Sequence, residues 1–380
     1  MGIKMNKNLK IIPLFKKNVF KTNYQKKILL SYITDPFFLK NNLAHTNLSE
    51  CYAAAEIFHG LGFRVDVIDI TSNKKIDYSQ YEIIYGMGKP FESSFFFTDR
   101  PLKRIFYATG CNPIYSNVET ILKIRDFYIS HNKLVTTSSR STEKNPNLQV
   151  LLSDKVIVLG GSFALNTYKE IDKSGEERYV NLNAFFYDTY NADLTKKDFR
   201  EAKKHFLWFG SSGLLHKGLD ILIDIFSARK DICLHICGAS NNEKEFFDFY
   251  TPILKKSENI INHGFVDIRS NKYKEIVDRC AFTISPSISE GGSPAILNTV
   301  ANGGLIPIVT KASSLDIDDV GIIIEVPKLD YIKYAIEKAL ELNAEQILKM
   351  STLAKEKIRN NYTFNEYKKN LERLIKNSIS

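Results

Sequence analysis

Apolar residues along this chain fall into short unbroken runs separated by stretches with helical spacing. Ile28-Leu29-Leu30-Ser31-Tyr32-Ile33 is the first run, and it predicts a strand that ends at Asp35-Pro36. Ala53, Ala54, Ile57, Phe58 and Leu61 then recur at helical spacing within 47–61, with Gly62 as a C-terminal cap. Runs at 64–70, 81–85, 104–108, 133–137 and 155–159 predict further strands, the last closed by Gly160-Gly161. Runs that are apolar throughout, rather than alternating, suit parallel strands covered by helices on both faces. That arrangement is a doubly wound α/β domain.

The pattern then restarts. Residues 181–204 are polar and tyrosine-rich and read as a connection. His205 to Gly210 is again a strand ending in glycine, followed by a helix over 219–228 and a strand over 232–237 that ends in Gly238. Strands at 281–285 and 305–309 complete a second α/β half, and 364–379 is a terminal helix with Tyr367, Leu371, Leu374 and Ile375 on its apolar side. The expected organisation is a basic leader (1–27), a first Rossmann-like domain (28–185), a linker (186–204) and a second Rossmann-like domain (205–360). The last segment (361–380) is expected to pack back on the first domain. No repeat of solenoid period interrupts this plan.

Composition narrows the picture. The 380 residues are 44% hydrophobic and 25% charged, which excludes a collagenous, low-complexity or wholly disordered chain. No run approaches the roughly 18 apolar residues of a membrane-spanning helix, and the basic N-terminus leads into no signal-peptide core. Five dispersed cysteines suit reduced thiols and a cytoplasmic location. The net charge of +9 calls for an anionic partner. Eight lysines and no acid lie in residues 1–27, read first as a solvated leader and alternatively as a patch for a peripheral contact with an anionic membrane. Nucleic acid is not expected, because no zinc, helix-turn-helix or RNA-recognition signature accompanies the charge.

In open parallel sheets, ligands lie beyond the carboxyl ends of the strands. Two strand-end loops carry chemistry. Gly210-Ser211-Ser212-Gly213-Leu214-Leu215-His216-Lys217-Gly218 is a small-residue turn with one lysine before a helix. Small residues let N–H groups approach an anion, the helix start adds positive potential, and Lys217 adds a full charge. Its spacing is neither a Walker loop nor GxGxxG. The second loop, Ser289-Glu290-Gly291-Gly292-Ser293-Pro294-Ala295, places Ser293 as an N-cap and Pro294 as the first helical residue. Gly291, Gly292 and Ser293 then present N–H groups, while Glu290 accepts from hydroxyls. Phosphate and sugar recognition together point to a nucleotide sugar.

These residues resemble a family. Phe209-Gly210 through Lys217-Gly218-Leu219-Asp220, Cys237-Gly238, Gly264-Phe265-Val266, and Ser289-Glu290-Gly291 through Gly304-Leu305-Ile306-Pro307 look like glycosyltransferase family 4. The resemblance covers the second half of the chain; the first half is similar in layout, through His45-Thr46-Asn47, Tyr107-Ala108-Thr109-Gly110 and Leu159-Gly160-Gly161. It implies a GT-B fold, two Rossmann-like domains facing across a cleft. It also implies retaining transfer from a nucleotide sugar to a glycan or lipid-linked acceptor, in bacterial surface polysaccharide or glycoconjugate biosynthesis. Lys217, with Gly210, Ser211, Ser212 and Gly213, would hold the donor diphosphate, and Glu290 the sugar hydroxyls. Gly291, Gly292, Ser293 and Ala295 would offer N–H groups, with Pro294 opening the helix among them, and Gly238, His263, Phe265 and Val266 would lie by the base. No metal or other cofactor is implied.

The chain departs from that family at three places. Gly210-Ser211 stands where the family usually has Gly-Arg, so a cation facing the phosphates is lost, with His216 a candidate replacement. Asn298 stands for the second glutamate of Glu-x7-Glu, which usually holds the ribose. A histidine near the acceptor is missing, leaving Thr109, Gly110, Asn112 and His45 as acceptor-side candidates. These departures keep a second class open: a non-catalytic GT-B partner subunit that binds a nucleotide sugar or glycan. A nucleotide-sugar epimerase of the same fold is a third. Cys233, His235 and Cys237 alternate on one strand and read as core rather than metal ligands.

Overall fold

The computed structural model describes residues 12–39, 45–96, 100–138, 140–141, 148–239 and 242–379. The strands among them are β1 (Phe15–Lys16), β2 (Lys27–Tyr32), β3 (Arg64–Asp69), β4 (Ile83–Gly86), β5 (Lys103–Ala108), β6 (Lys155–Leu159), β7 (Tyr179–Leu182), β8 (His205–Phe209), β9 (Cys233–Cys237), β10 (Ile260–Gly264), β11 (Phe282–Ser285), β12 (Ile306–Thr310) and β13 (Ile322–Ile324). They divide between two compact units. The first comprises Met1–Ala108, Leu148–Ile157 and Leu371–Ser380; the second comprises Thr109–Asn147 and Val158–Asn370.

Among the described residues the first sheet has seven strands in the order β1-β3-β2-β4-β5-β6-β7. β2 pairs in parallel with β3 and β4, and β4 with β5, while β1 caps the edge antiparallel to β3. Ile28, Leu29, Leu30, Val65, Val67, Ile84 and Ile105 are buried, as the unbroken apolar runs require. The helix Thr46–Gly60 packs on β2 and β3 and buries Ala53, Ala54, Ile57 and Phe58. Its Glu50 is also buried, and its carboxylate accepts the hydroxyls of Tyr32 at 2.9 Å and Tyr107 at 3.1 Å.

The end of the basic leader is not a solvated tail. Phe15 and Lys16 pair with Ile68 and Val67, the Asn18 N–H donates to Asp66 Oδ1 at 2.7 Å, and Phe20 stacks on His59 at 4.6 Å. The remainder of the lysine patch, residues 1–11, lies outside the described residues.

The second unit is built on a six-stranded sheet of order β10-β9-β8-β11-β12-β13, parallel throughout. Phe206, Trp208, Leu234, Ile236, Phe282, Ile284, Ile306 and Ile308 form its core with Leu222, Ile223 and Phe226 of the helix Leu219–Ser227. The helix Pro113–His131 belongs to this unit: Phe127 enters the same core, and Lys123 Nζ meets Asp220 Oδ2 at 2.8 Å, with both side chains less than a tenth exposed.

The strand expected over 133–137 does not form. The chain leaves the helix Pro113–His131 through Asn132 in left-handed conformation, and Val135 is buried. The N–H groups of Thr136 and Thr137 donate to Glu245 Oε2 at 2.7 and 3.1 Å. A side chain thus takes the donors that a neighbouring strand would have received.

The strand order fixes the site. β8 and β11 are neighbours at the centre of the sheet, so the loops leaving their carboxyl ends, 210–218 and 286–293, lie side by side.

Candidate active site

The lysine loop is a fixed turn. The Gly210 N–H donates to Cys237 O at 3.0 Å, and the Gly238 N–H to Gly264 O at 2.7 Å, which laces together the ends of β8, β9 and β10. Gly238 has φ +85°, and a Cβ there would stand 1.8 Å from Gly210 O, so only glycine permits this approach. The Gly213 and Leu214 N–H groups donate to the two carboxylate oxygens of Glu243 at 2.5 and 2.9 Å. Two N–H groups of the turn expected to face an anion are therefore taken by an internal carboxylate. The Ile288 N–H donates to His216 O at 3.1 Å, tying this turn to the loop from β11.

Lys217 and Glu290, the two residues assigned the chemistry, meet directly: Lys217 Nζ bonds Glu290 Oε1, with both side chains nearly buried. A second cation joins them. Arg140 Nη1 lies 3.6 Å from the same Glu290 oxygen, and its Nη2 donates to Ser212 O at 2.8 Å. Burial alone would raise the Glu290 carboxyl, but Lys217 and Arg140 outweigh it and hold the group at about 2. Glu290 is thus an ionised acceptor at neutral pH. Burial lowers the Lys217 ammonium, with Glu290 opposing and Arg140 assisting.

His216 does not replace the missing cation. It is 3% exposed, burial lowers it to about 4, and its Nε2 faces Ser289 O at 2.5 Å. The ring is neutral at pH 7, and its buried Nδ1 has no partner among the described residues.

The second loop behaves as expected, with one difference. The helix begins at Pro294 and ends at Gly303. Ser293 stands at the cap position, but its backbone is left-handed (φ 39°) and its hydroxyl donates to Ser313 O at 2.9 Å rather than capping the helix. Crowding at the preceding glycines explains the tight turn: a Cβ on Gly291 would stand 2.3 Å from Thr109 O, and one on Gly292 would stand 2.8 Å from Ala184 Cβ. Thr109 and Gly110 are thereby brought against Glu290 and Gly291. The Cys111 thiol faces Glu290 O at 3.6 Å, and Ser116 Oγ lies 2.6 Å from Ser289 Oγ.

Other candidates have separate occupations. Asn298 Oδ1 accepts the Tyr187 N–H at 2.8 Å, and Asn112 Oδ1 caps the helix Pro113–His131 through the Ile114 N–H at 2.9 Å. Val266 is buried in a cluster with Leu207, Cys237 and Tyr273, whereas Phe265 is exposed. His45 belongs to the first unit, where its Nδ1 accepts the Asn47 N–H at 3.2 Å and caps the helix Thr46–Gly60.

Sequence reasoning missed Arg140 and Glu243. Arg140 sits in the polar run Thr136-Thr137-Ser138-Ser139-Arg140, where nothing but an isolated cation marks it; Glu243 follows the strand-end Gly238 just before a helix. The soft-ligand reading also shifts. His205, Cys233 and His235 bring three donor atoms within 4.8 Å of one another, whereas Cys237 is buried elsewhere in the core. His235 already bonds His205 at 3.0 Å and His263 at 2.9 Å, and burial lowers it to about 3, which gives a neutral histidine chain.

No protein-family model matches the chain, and no curated protein matches it in sequence. Solved structures do. Alr3699/HepE from Anabaena, solved with UDP and glucose, is 12% identical with TM-score 0.60, over 94% of this chain and 99% of that one. A glycosyltransferase from Rickettsia africae is 13% identical with TM-score 0.59, over 94% and all of its own length. TarM from S. aureus, solved with UDP and alpha-GlcNAc-glycerol, is 14% identical with TM-score 0.53 over 76% of this chain, which spans 55% of TarM. At such identities the likeness shows the fold: two parallel-sheet α/β units of GT-B type.

Proposed function

We propose that the protein is a retaining glycosyltransferase that moves a sugar from a nucleotide donor to a glycan or lipid-linked acceptor. The observation that carries this reading is the Lys217–Glu290 pair at the carboxyl ends of adjacent central strands, with Arg140 beside it. Lys217 would stabilise the negative charge that develops on the departing diphosphate. Glu290, held ionised, would accept hydrogen bonds from the sugar hydroxyls. The N–H groups around Gly291 to Ala295 would orient the sugar or its phosphate, and Gly238 with the segment His263–Val266 would flank the base. Transfer on one face, with the leaving phosphate helping to deprotonate the acceptor, requires no separate side-chain base and no metal.

The neighbours solved with UDP support a nucleotide sugar as donor, and TarM's glycoside ligand supports a glycosidic acceptor. Thr109, Gly110 and Asn112, on the approach to Glu290, are the acceptor-side candidates; His45 is another, from the first unit. A role in surface polysaccharide or glycoconjugate assembly, on the cytoplasmic side of a membrane, fits this chemistry. The cysteines are unpaired, and among the described residues no helix is long and apolar enough to cross a membrane.

A panel of nucleotide sugars, assayed for nucleoside diphosphate release with and without simple glycan acceptors, tests the reading. Release that depends on Lys217 and Glu290, and a product of unchanged anomeric configuration, is the expected result. Binding without release would favour the partner-subunit reading, for which the engagement of Asn298 with Tyr187 is the motivating observation. Absence of both binding and release would remove the proposal.

A further inference from the structure

We propose that Arg140 is a donor-binding residue that supplies the second positive charge facing the diphosphate. The inference rests on the donor reading above and adds a residue that the strand-end motifs do not contain. Arg140 comes from the segment after the helix Pro113–His131, about seventy positions before the lysine loop.

Its placement is specific. The backbone carbonyl of Arg140 accepts the Thr120 hydroxyl at 3.0 Å, which anchors the segment to that helix. The guanidinium donates to Ser212 O at 2.8 Å and lies 3.6 Å from Glu290 Oε1, the oxygen that Lys217 also holds. Gly213 makes room for it: a Cβ there would stand 2.7 Å from Arg140 Nε. The backbone of Arg140 is thus anchored to one helix, while its side chain meets two further segments, the lysine loop and Glu290.

Charge gives the convergence a purpose. With His216 neutral, Lys217 and Arg140 are the two cations that face Glu290, while the nearby Glu243 carboxylate is taken up by the Gly213 and Leu214 N–H groups. The Arg140 side chain is 38% exposed, against 13% for Lys217 and 10% for Glu290, so it is the member that an incoming ligand reaches first. A guanidinium carries five N–H donors in a planar fork, and the bond to Ser212 O uses one. The others suit paired phosphate oxygens.

The test uses the full chain and calorimetric titration with UDP, GDP and ADP, alongside the matching nucleosides. Variants are Arg140→Gln and Arg140→Lys, each checked by thermal melting. The expected result is that Arg140→Gln weakens the preferred diphosphate by about tenfold or more while leaving the nucleoside nearly unchanged, and that Arg140→Lys recovers part of the loss. A loop anchor would move both ligands together or neither. Equal diphosphate affinity in Arg140→Gln and the unmodified protein, with binding intact in both, overturns the assignment and leaves the donor reading standing. Failure of the unmodified protein to bind any nucleoside diphosphate overturns the donor reading and this inference with it. Should Arg140→Gln melt early, Arg140→Lys decides: full diphosphate affinity supports a charge role, and a loss equal for diphosphate and nucleoside refutes it.

Discussion

Glu243 and Gly213 are joined by a hydrogen bond of 2.5 Å, in which a buried carboxylate at the head of one helix fixes the backbone turn that leads into another. Its second oxygen takes the Leu214 N–H at 2.9 Å. Replacing Glu243 by Ala leaves two buried donors, at a cost of about 1–3 kcal/mol for each. Glu243→Gln keeps one acceptor and should lose about half as much. Urea unfolding of the three proteins checks the order, and turnover should fall with it as Lys217 loses its support.

Lys217→Ala and Glu290→Ala should each abolish nucleotide-sugar turnover while the chain stays folded. The two differ in what they leave behind. Without Lys217, Glu290 keeps Arg140 as a neighbour; without Glu290, Lys217 and Arg140 confront each other unscreened. Glu290→Ala should therefore show the stronger dependence of melting temperature on salt, measured by calorimetry at low and high ionic strength. Near-normal turnover in either variant would disprove the site assignment.

The pair Lys123 and Asp220 makes a stability prediction away from the chemistry. Lys123→Met strands a buried carboxylate whose Oδ1 already lacks a partner among the described residues, so it should cost about 3–5 kcal/mol. The double variant Lys123→Met/Asp220→Leu should regain most of that loss. A double-mutant cycle by chemical denaturation decides it, and additive losses would contradict the claim.

Alongside His235, His216 contributes to acid sensitivity. Its folded-state value is about 4 against an ordinary 6.5, so below pH 6.5 the unfolded chain takes up a proton that the folded chain refuses. Stability is then full above 6.5 and falls as pH drops toward 4, by about 3 kcal/mol in all. Glu290 acts lower, losing its contribution between 4.5 and about 2. His216→Asn should shrink the difference in melting temperature between about pH 7.5 and about pH 5. An unchanged difference would place the acid sensitivity elsewhere.

Much of this architecture is legible in the chain because buried parallel strands need unbroken apolar runs. Leu29, Val67, Phe206, Leu234 and Ile308 announce their strands, and the terminal helix Phe364–Ile379 falls where its spacing puts it. Short and edge strands escape: Ile260–Gly264 turns polar after two residues, and Ile322–Ile324 is only three long. The run around Val135 misleads in the other direction, since a window of residues does not reveal that Glu245 intercepts its N–H groups. At the site, Lys217 and Glu290 are found through loop chemistry next to strand ends. Arg140 is not, because its place depends on a helix docking far along the chain. His216 fails as a cation for a related reason: its charge state is set by burial, which the residue type does not encode.

The first unit takes residues from three separate stretches, among them Leu371 onward, while the second is contained within Thr109 to Asn370. A ribosome delivers the chain in order, so the strands of the first unit emerge early but wait for the helical turns after Leu371 until the whole second unit has been made. The second unit is complete once Asn370 has emerged and folds while the first is still unfinished. Nascent chains released shortly before Leu371 should carry a protease-resistant second unit and a first unit that is still cleaved.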